Sequence, residues 1–203
     1  MAKIKLTKNE LRRQKEALQR FERYLPTLEI KKQQLQFEIN RVDRAIEATL
    51  EAIVHLEKEI FRWVDVFAEE VGLEKLFKVR GVKTDIGNIA GVEIPIFKQV
   101  EFVEEEYDFL TTPLWVDKAI EVCKKMIVLK AELLVYQKQR EILKEELRIT
   151  TQRINLFEKV KIPQTKENIR VITIYLGDLQ TAEVIRGKIA KAKIEERREV
   201  VNQ

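Results

Sequence analysis

An apolar residue recurs every seven positions over the first third of the chain, and a second, mostly apolar series follows three residues behind it. The first series is interrupted only by Lys32. Two apolar positions in each heptad, sustained over this length, are typical of a coiled-coil helix. The first series is Ile4, Leu11, Leu18, Leu25, Lys32, Ile39, Ile46, Ile53, Ile60 and Phe67. The second is Thr7, Gln14, Phe21, Leu28, Leu35, Val42, Thr49, Leu56 and Trp63.

This pattern predicts one long helix over residues 1–72, ending at Gly72 because glycine is common just beyond a helix. Pro26 lies inside it, and since the heptad continues unshifted we interpret Pro26 as a tolerated kink. A helix of this length would extend about 100 Å at about 1.5 Å per residue.

A second heptad pattern occupies the last part of the chain, after Thr112 and Pro113. One series is Trp115, Val122, Leu129, Tyr136, Leu143, Thr150 and Phe157. The other is Ala119, Met126, Leu133, Arg140, Leu147 and Ile154. Pro163 interrupts the pattern, and an apolar face resumes from Ile169. We predict a second coiled-coil helix over residues 114–203, folding back on the first as an antiparallel pair.

Residues 73–113 have a different composition and no heptad pattern. Glycines, two prolines and short β-branched runs predict a small β-hairpin, in which Pro95 favours an edge-like strand. The predicted fold is therefore mainly α: a long antiparallel two-helix coiled coil with a small β-hairpin/short-helix tip, forming one elongated unit.

Charge is distributed unevenly along the chain. Residues 1–32 carry 10 Lys and Arg against 4 Asp and Glu, residues 60–110 carry 6 against 11, and residues 186–203 carry 6 against 3. In an antiparallel pair the two basic termini are expected to meet at one end. Nucleic-acid or anionic-membrane binding would also use such clusters, but interleaved glutamates dilute them and no aromatic stacking platform accompanies them.

Residues suited to chemistry are scarce. His55 is the only histidine and Cys123 the only cysteine, so a catalytic triad or a multi-histidine metal site is not expected. The run of acidic residues 104–106 lacks the spacing of a calcium loop, and no phosphate-binding Gly-Lys-Ser/Thr run is present. We therefore expect no catalytic residue, cofactor or metal. Without a signal peptide or an apolar span, a cytoplasmic location is expected.

Two charged residues occupy seam positions, Lys32 and Arg140. Their stems can pack while the charged heads reach solvent, or they can set the register by penalising wrong alignments. From the residues alone, the function is an assembly or shaft element or a cytoplasmic coiled-coil adaptor without rotary function, and nucleic-acid binding ranks third behind both.

Three segments resemble the D subunit of the V/A-type rotary ATPases. They are the leucine-spaced basic opening (Thr7-Lys8 to Leu11, then Lys31 and Leu35), the segment 88–95, and the segments 153–158 and 162–164 that follow Glu145-Glu146-Leu147. The order and spacing match across nearly the whole chain. One departure is Thr151-Gln152-Arg153, where the family often has consecutive arginines.

The resemblance implies a rotor shaft that is not itself catalytic. It implies binding to a catalytic A/B hexamer, to the F subunit and to the rotor cap of the membrane ring, on the cytoplasmic side, with no nucleic acid and no membrane contact outside the complex. The residues expected to face the hexamer are Lys3, Lys5, Lys8, Arg12, Arg13, Lys188, Lys191, Lys193, Arg197 and Arg198. Those expected to face the F subunit and the cap are Gly81, Ile86, Ile89, Val92, Ile94 and Ile96.

Overall fold

The first helix of the computed structural model follows the heptad pattern. The structure describes residues 4–62, 76–104, 113 and 115–201. Helix α1 is Lys8–Phe61 and contains Pro26, as the unshifted heptad predicted. Its first turn is capped by Thr7, whose hydroxyl oxygen accepts from the Glu10 amide at 3.3 Å. The predicted helix end at Gly72 and the acidic run at 105–106 lie outside the described residues.

The predicted β-hairpin is confirmed. Strands β1 (Phe77–Ile89) and β2 (Val92–Glu104) pair antiparallel, with register irregularities at Arg80 and Lys98. Ala90 and Gly91 form the two-residue turn, both with positive φ, at 52° and 78°. Such a turn matches the twist of the strands and favours glycine. The Gly91 amide also donates to the side-chain oxygen of Asn88 at 3.0 Å.

A helical run follows from Trp115 to Val201. It consists of α2 (Trp115–Leu156), a π-helical turn (Phe157–Lys161) and α3 (Ile162–Val201). The predicted fold class, mainly helical with a small two-stranded antiparallel sheet, is thus confirmed. The chain divides into two compact units, one of residues 31–150 and one of residues 1–30 with 151–203.

In the unit of residues 31–150, the heptad positions form the core. Leu35 and Leu143 are fully buried, and α1 also buries Ile39, Val42 and Ile46. Ile94 of the hairpin completes this core, with Ile89 and Val92 packed against it. The hairpin turn therefore lies alongside the helices at this level.

Charged pairs join the two helices of this unit. Lys31 Nζ lies 2.6 Å from Glu146 Oε1, and both side chains are mostly buried. Arg140 Nη1 lies 3.6 Å from Asp43 Oδ1. Because each pair connects α1 to α2, a shift of one helix along the other would separate the partners. The pair at Arg140 thus fits the register-setting interpretation of that seam charge.

In the other unit, the start of α1 packs on the π-helical turn and the start of α3. The rings of Phe21 and Phe157 lie 5.2 Å apart between centroids. Gln14 accepts from the Asn168 amide at 3.4 Å, and Ile172 is fully buried. The two helices therefore remain packed against each other in this unit.

Two buried threonines allow a test of seam polarity. The Thr49 hydroxyl donates to the Ala45 carbonyl at 2.8 Å, whereas the Thr150 hydroxyl is buried without a partner in the described part of the chain. Thr150→Val is expected to raise the free energy of unfolding by about 1 kcal/mol, because an unpaired polar atom leaves the core. Thr49→Val is the matched control and should give no such gain. Urea unfolding of both variants measures the difference, and an equal response would contradict it.

Candidate partner surfaces

The six hairpin residues predicted to face partners divide between two environments. Ile94 is only 3% exposed, and Ile89 and Val92 are partly buried against the same core. These side chains join the hairpin to the helices because the strand turn lies beside the seam. Ile94 therefore belongs to the core of this chain, and its contact with a partner stays a prediction.

The remaining three predicted residues, Gly81, Ile86 and Ile96, are accessible to solvent or to a partner protein. Ile86 is 75% exposed and Ile96 is also exposed, and among the described residues other than its chain neighbours no atom lies within 4 Å of the point where a side chain at Gly81 would begin. Val82, which the sequence analysis did not single out, is exposed and alternates onto the same face of β1 as Ile86. We call Val82 and Ile86 the hairpin patch.

Cross-strand ion pairs neutralise charges on the hairpin. Lys83 pairs with Glu101, and Lys98 Nζ lies 2.9 Å from Asp85 Oδ2. The hydrogen bond from Lys83 lowers the pKa of Glu101, and the hydrogen bond from Lys98 lowers the pKa of Asp85. Both carboxylates are therefore charged at neutral pH, and each is neutralised by its lysine. A partner protein would thus meet apolar side chains on the hairpin and no strong net charge.

The hairpin is attached to α2 at two levels. Near its turn, the Gln139 side-chain amide donates to the carbonyl of Pro95. Near its base, Lys124 Nζ lies 5.9 Å from the centre of the Phe102 ring, within cation–π range. These attachments fix the direction in which the hairpin patch faces.

The predicted basic residues lie in two clusters. The first, at the start of α1, contains Lys5, Lys8, Arg12 and Arg13, all exposed; Lys3 lies outside the described residues. Arg12 is paired with Glu16 at 2.9 Å. The second cluster, on α3, contains exposed Lys188, Lys191, Lys193 and Arg197, while Arg198 is described by its backbone alone.

These clusters occupy successive levels of the helices and do not lie side by side as predicted. Gln14 contacts Asn168, so in an antiparallel pair Lys8 lies near the level of Ile174. Lys188 is a further fourteen residues along α3, about 21 Å at about 1.5 Å per residue. The sequence prediction took the two termini to meet at one end, whereas α3 extends beyond the described start of α1.

The end of α3 is exposed on all sides. Apart from half-buried Ala182, every side chain described from residue 177 onward is exposed. Large apolar residues are among them: Val184, Ile185, Ile189 and Ile194. At about 100° per residue, these four point in different directions around the helix. In the sequence, these apolar residues fit no heptad, which is a sign of an exposed helix end that the sequence prediction did not use.

Groups suited to metal or redox chemistry are sparse in the part of the chain that the structure describes. No group of three His, Cys, Asp or Glu side chains is placed to hold a metal ion there. His55 is exposed and lies 3.7 Å from Glu59. Cys123 is half-buried, and burial raises the pKa of its thiol. No described helix combines the length and apolar character needed to cross a membrane.

Exposed apolar surfaces on paired helices are typical of a protein that binds other proteins within a complex.

The model of the family described as the D subunit of ATP synthase matches residues 10–192. The V-type ATP synthase D subunit of Borreliella burgdorferi is 48% identical over 194 residues, 96% of each chain. The protein of the same name from Chlamydia pneumoniae is 38% identical over 199 residues, covering 96% of this chain and 95% of the relative. That of Chlamydia caviae is 35% identical over 201 residues, with 98% and 97% covered. This chain belongs to the family of ATP synthase D subunits.

Proposed function

We propose that this chain is a central-stalk subunit that performs no chemistry itself. It transmits torque between a catalytic A/B hexamer, where ATP is hydrolysed or made, and a membrane ring that translocates ions. The observation that carries the proposal is the end of α3, a helix exposed on every side with both apolar and basic residues. Exposed apolar side chains such as Val184, Ile185, Ile189 and Ile194 are normally covered by another protein, as they would be inside a hexamer.

The paired helices support the same role. A shaft must keep its two helices from sliding past each other under load. The heptad core, together with the pairs Lys31–Glu146 and Arg140–Asp43, opposes such sliding because it joins α1 to α2 across the seam. An adaptor without a rotary role would need no particular resistance to sliding.

The hairpin patch is the second proposed contact. Val82 and Ile86 present exposed apolar side chains on one face of a hairpin attached to α2, and Ile96 presents one on the other face; we assign the three to the F subunit or the rotor cap. Through these partners the chain would be held at the cytoplasmic side of a membrane without touching lipid.

The basic clusters are proposed as a bearing surface toward the hexamer. Exposed ion pairs contribute little individually, so contacts of this kind can be remade at each rotational step. Charge that is spread over several lysines and arginines of α1 and α3 attracts an acidic inner surface without a fixed bond.

Neutralising the bearing surface tests this function. A variant with glutamine at Lys5, Lys8, Lys188, Lys191 and Lys193 is expected to assemble less well and to pump fewer ions per ATP, while ATP cleavage continues. Single substitutions should have small effects, because each charge is one of many. ATPase rate and ion transport are measured separately on the purified complex.

The matched control neutralises five exposed basic residues of α2, namely Lys118, Lys130, Lys138, Lys144 and Arg148. It removes equal charge from a different surface and should leave coupling unchanged. Loss of ATP cleavage from a single substitution, with assembly intact, would contradict the bearing and indicate a direct catalytic role. Equal loss of coupling in both variants would show that coupling depends on the net charge of the chain and not on the position of the basic residues.

A further inference from the structure

The helical run from α2 into α3 contains one turn that is wider than its neighbours. In the π-helical turn Phe157–Lys161, the amide of Ile162 donates to the carbonyl of Phe157, five residues earlier. An α-helix closes the same bond over four residues. One extra residue is therefore wound into the helix at this point.

The extra residue corresponds to a shift in the heptad. Leu143, Thr150 and Phe157 are spaced by seven, and so are Thr165 and Ile172, both buried. From Phe157 to Thr165 the step is eight. A strict repeat would have placed the exposed Gln164 in the seam. The wide turn thus returns the apolar face to α1 after an insertion of one residue.

Two prolines lie close to this turn. Pro163 has no amide hydrogen and cannot donate to the carbonyl of Lys159, and Pro26 in α1 cannot donate to that of Glu22. The Thr165 hydroxyl donates to the Lys161 carbonyl at 2.6 Å, a side-chain bond that often accompanies helix bending. Both helices therefore have an interrupted ladder of backbone hydrogen bonds.

Contacts show that the two interruptions lie at neighbouring levels of the pair. The rings of Phe21 and Phe157 contact each other at a tilt, and Lys166 Nζ lies 3.3 Å from Glu22 Oε1. Because the helices are antiparallel, Pro26 lies on the α2 side of the Phe21–Phe157 contact, whereas the rest of the π-helical turn and Pro163 lie on its other side. The two interruptions therefore follow one another along the pair within about 17 Å, at about 1.5 Å per residue.

We propose that this stretch of the pair, Phe21 to Pro26 with Phe157 to Pro163, is a compliant joint. The paired helices bend and twist here more readily than along the regular seam, while the aromatic contact and buried Ile154 and Thr165 keep them together. Its use in a shaft rests on the proposed function: a compliant level can store part of a rotational step before the ring moves.

Hydrogen exchange on the full chain measures the joint directly. We expect amides of residues 22–27 and 157–166 to exchange at least about ten-fold faster than amides of residues 35–46 and 139–150. A repaired variant deletes the exposed Val160 and carries Pro26→Ala and Pro163→Ala, which restores both ladders and the seven-residue spacing. In it, exchange at the joint should slow by about ten-fold or more. Pro95→Ala, in the hairpin, is the control and should leave the joint unchanged.

Bending is measured by the distance between two spin labels on either side of the turn. Gln152→Cys and Asp178→Cys, in a Cys123→Ser background, place labels about 39 Å apart along the helix. The distance distribution should be broad in the native sequence and narrower in the repaired variant. Equal widths, or native exchange at the joint as slow as in the flanking seam, would overturn the joint.

These measurements use the unassembled chain, so they can fail while the shaft function stands. Conversely, the five-lysine variant tests the shaft and leaves the joint intact. In the assembled complex, the repaired variant is expected to bind normally and to pump ions at least about two-fold more slowly at saturating ATP. Unchanged pumping would overturn the joint's use in rotation.

Discussion

Replacing Leu143 by alanine is expected to lower the free energy of unfolding by about 2–5 kcal/mol. Leu143 is 0% exposed and shares a cluster with Leu35, Ile39 and Ile94. The substitution would remove apolar surface from α2 where both α1 and the hairpin pack, and the backbone of two long helices leaves little freedom to close the cavity. Urea unfolding followed by circular dichroism measures the loss.

Leu134→Ala is the matched control. It makes the same chemical change on the same helix, but Leu134 is 66% exposed. Its effect should stay within about 0.5 kcal/mol, as for most surface substitutions. A similar loss in both variants would contradict the assignment of the core to the heptad seam.

Placing aspartate at both Val82 and Ile86 is expected to abolish binding of the partner that contacts the hairpin. Both side chains are exposed apolar groups on one strand face, and a buried unpaired carboxylate in an interface is strongly unfavourable. We expect the dissociation constant for the F subunit to rise at least about a hundred-fold, near 2.7 kcal/mol. Calorimetric titration with the purified F subunit is the measurement, repeated with the rotor cap if the F subunit binds elsewhere.

Ile94→Ala is the informative counterpart. Ile94 is on the same hairpin but in the core, so this variant should lose stability and keep partner affinity under folding conditions. The double aspartate variant should show the reverse. If the aspartate variant binds both partners normally, the contact lies on the helices and the hairpin assignment is wrong.

The heptad pattern predicted the seam of both helices because apolar spacing depends only on local sequence. Ile39, Ile46 and Ile53 are buried at the positions that the seven-residue series specified. The hairpin was equally local: β-branched runs, glycines and an unfavourable site for a central proline predicted it within residues 73–113, and the strands are Phe77–Ile89 and Val92–Glu104.

Long-range packing could not be predicted in the same way. Nothing in the neighbourhood of Ile94 in the sequence indicates that its side chain meets Leu35 and Leu143, which are remote along the chain. On α2, Ala131, Val135 and Gln139 lie on one face, off the heptad, and are buried. Gln139 reaches the hairpin from that face, a contact that depends on where the hairpin lies.

Two features could not be predicted in detail, for the same reason. The one-residue step at the π-helical turn and the extension of α3 past α1 both depend on how the helices are aligned, which a repeat within one helix does not specify. Each nevertheless left a sign: eight residues from Phe157 to Thr165, and apolar residues after Gly177 that follow no seam.

The distance along the chain between the two sides of the core also has a consequence during synthesis. The core around Leu35 cannot be completed until Leu143, 108 positions later, has been synthesised. At about 5–20 residues per second, translation of that stretch takes roughly 5–20 s. Until the hairpin emerges, the apolar stripe of α1 has no partner from its own chain. The nascent protein thus presents a long apolar helix face to the ribosome surface and to chaperones, and the hairpin emerges in time to cover part of it before α2 arrives.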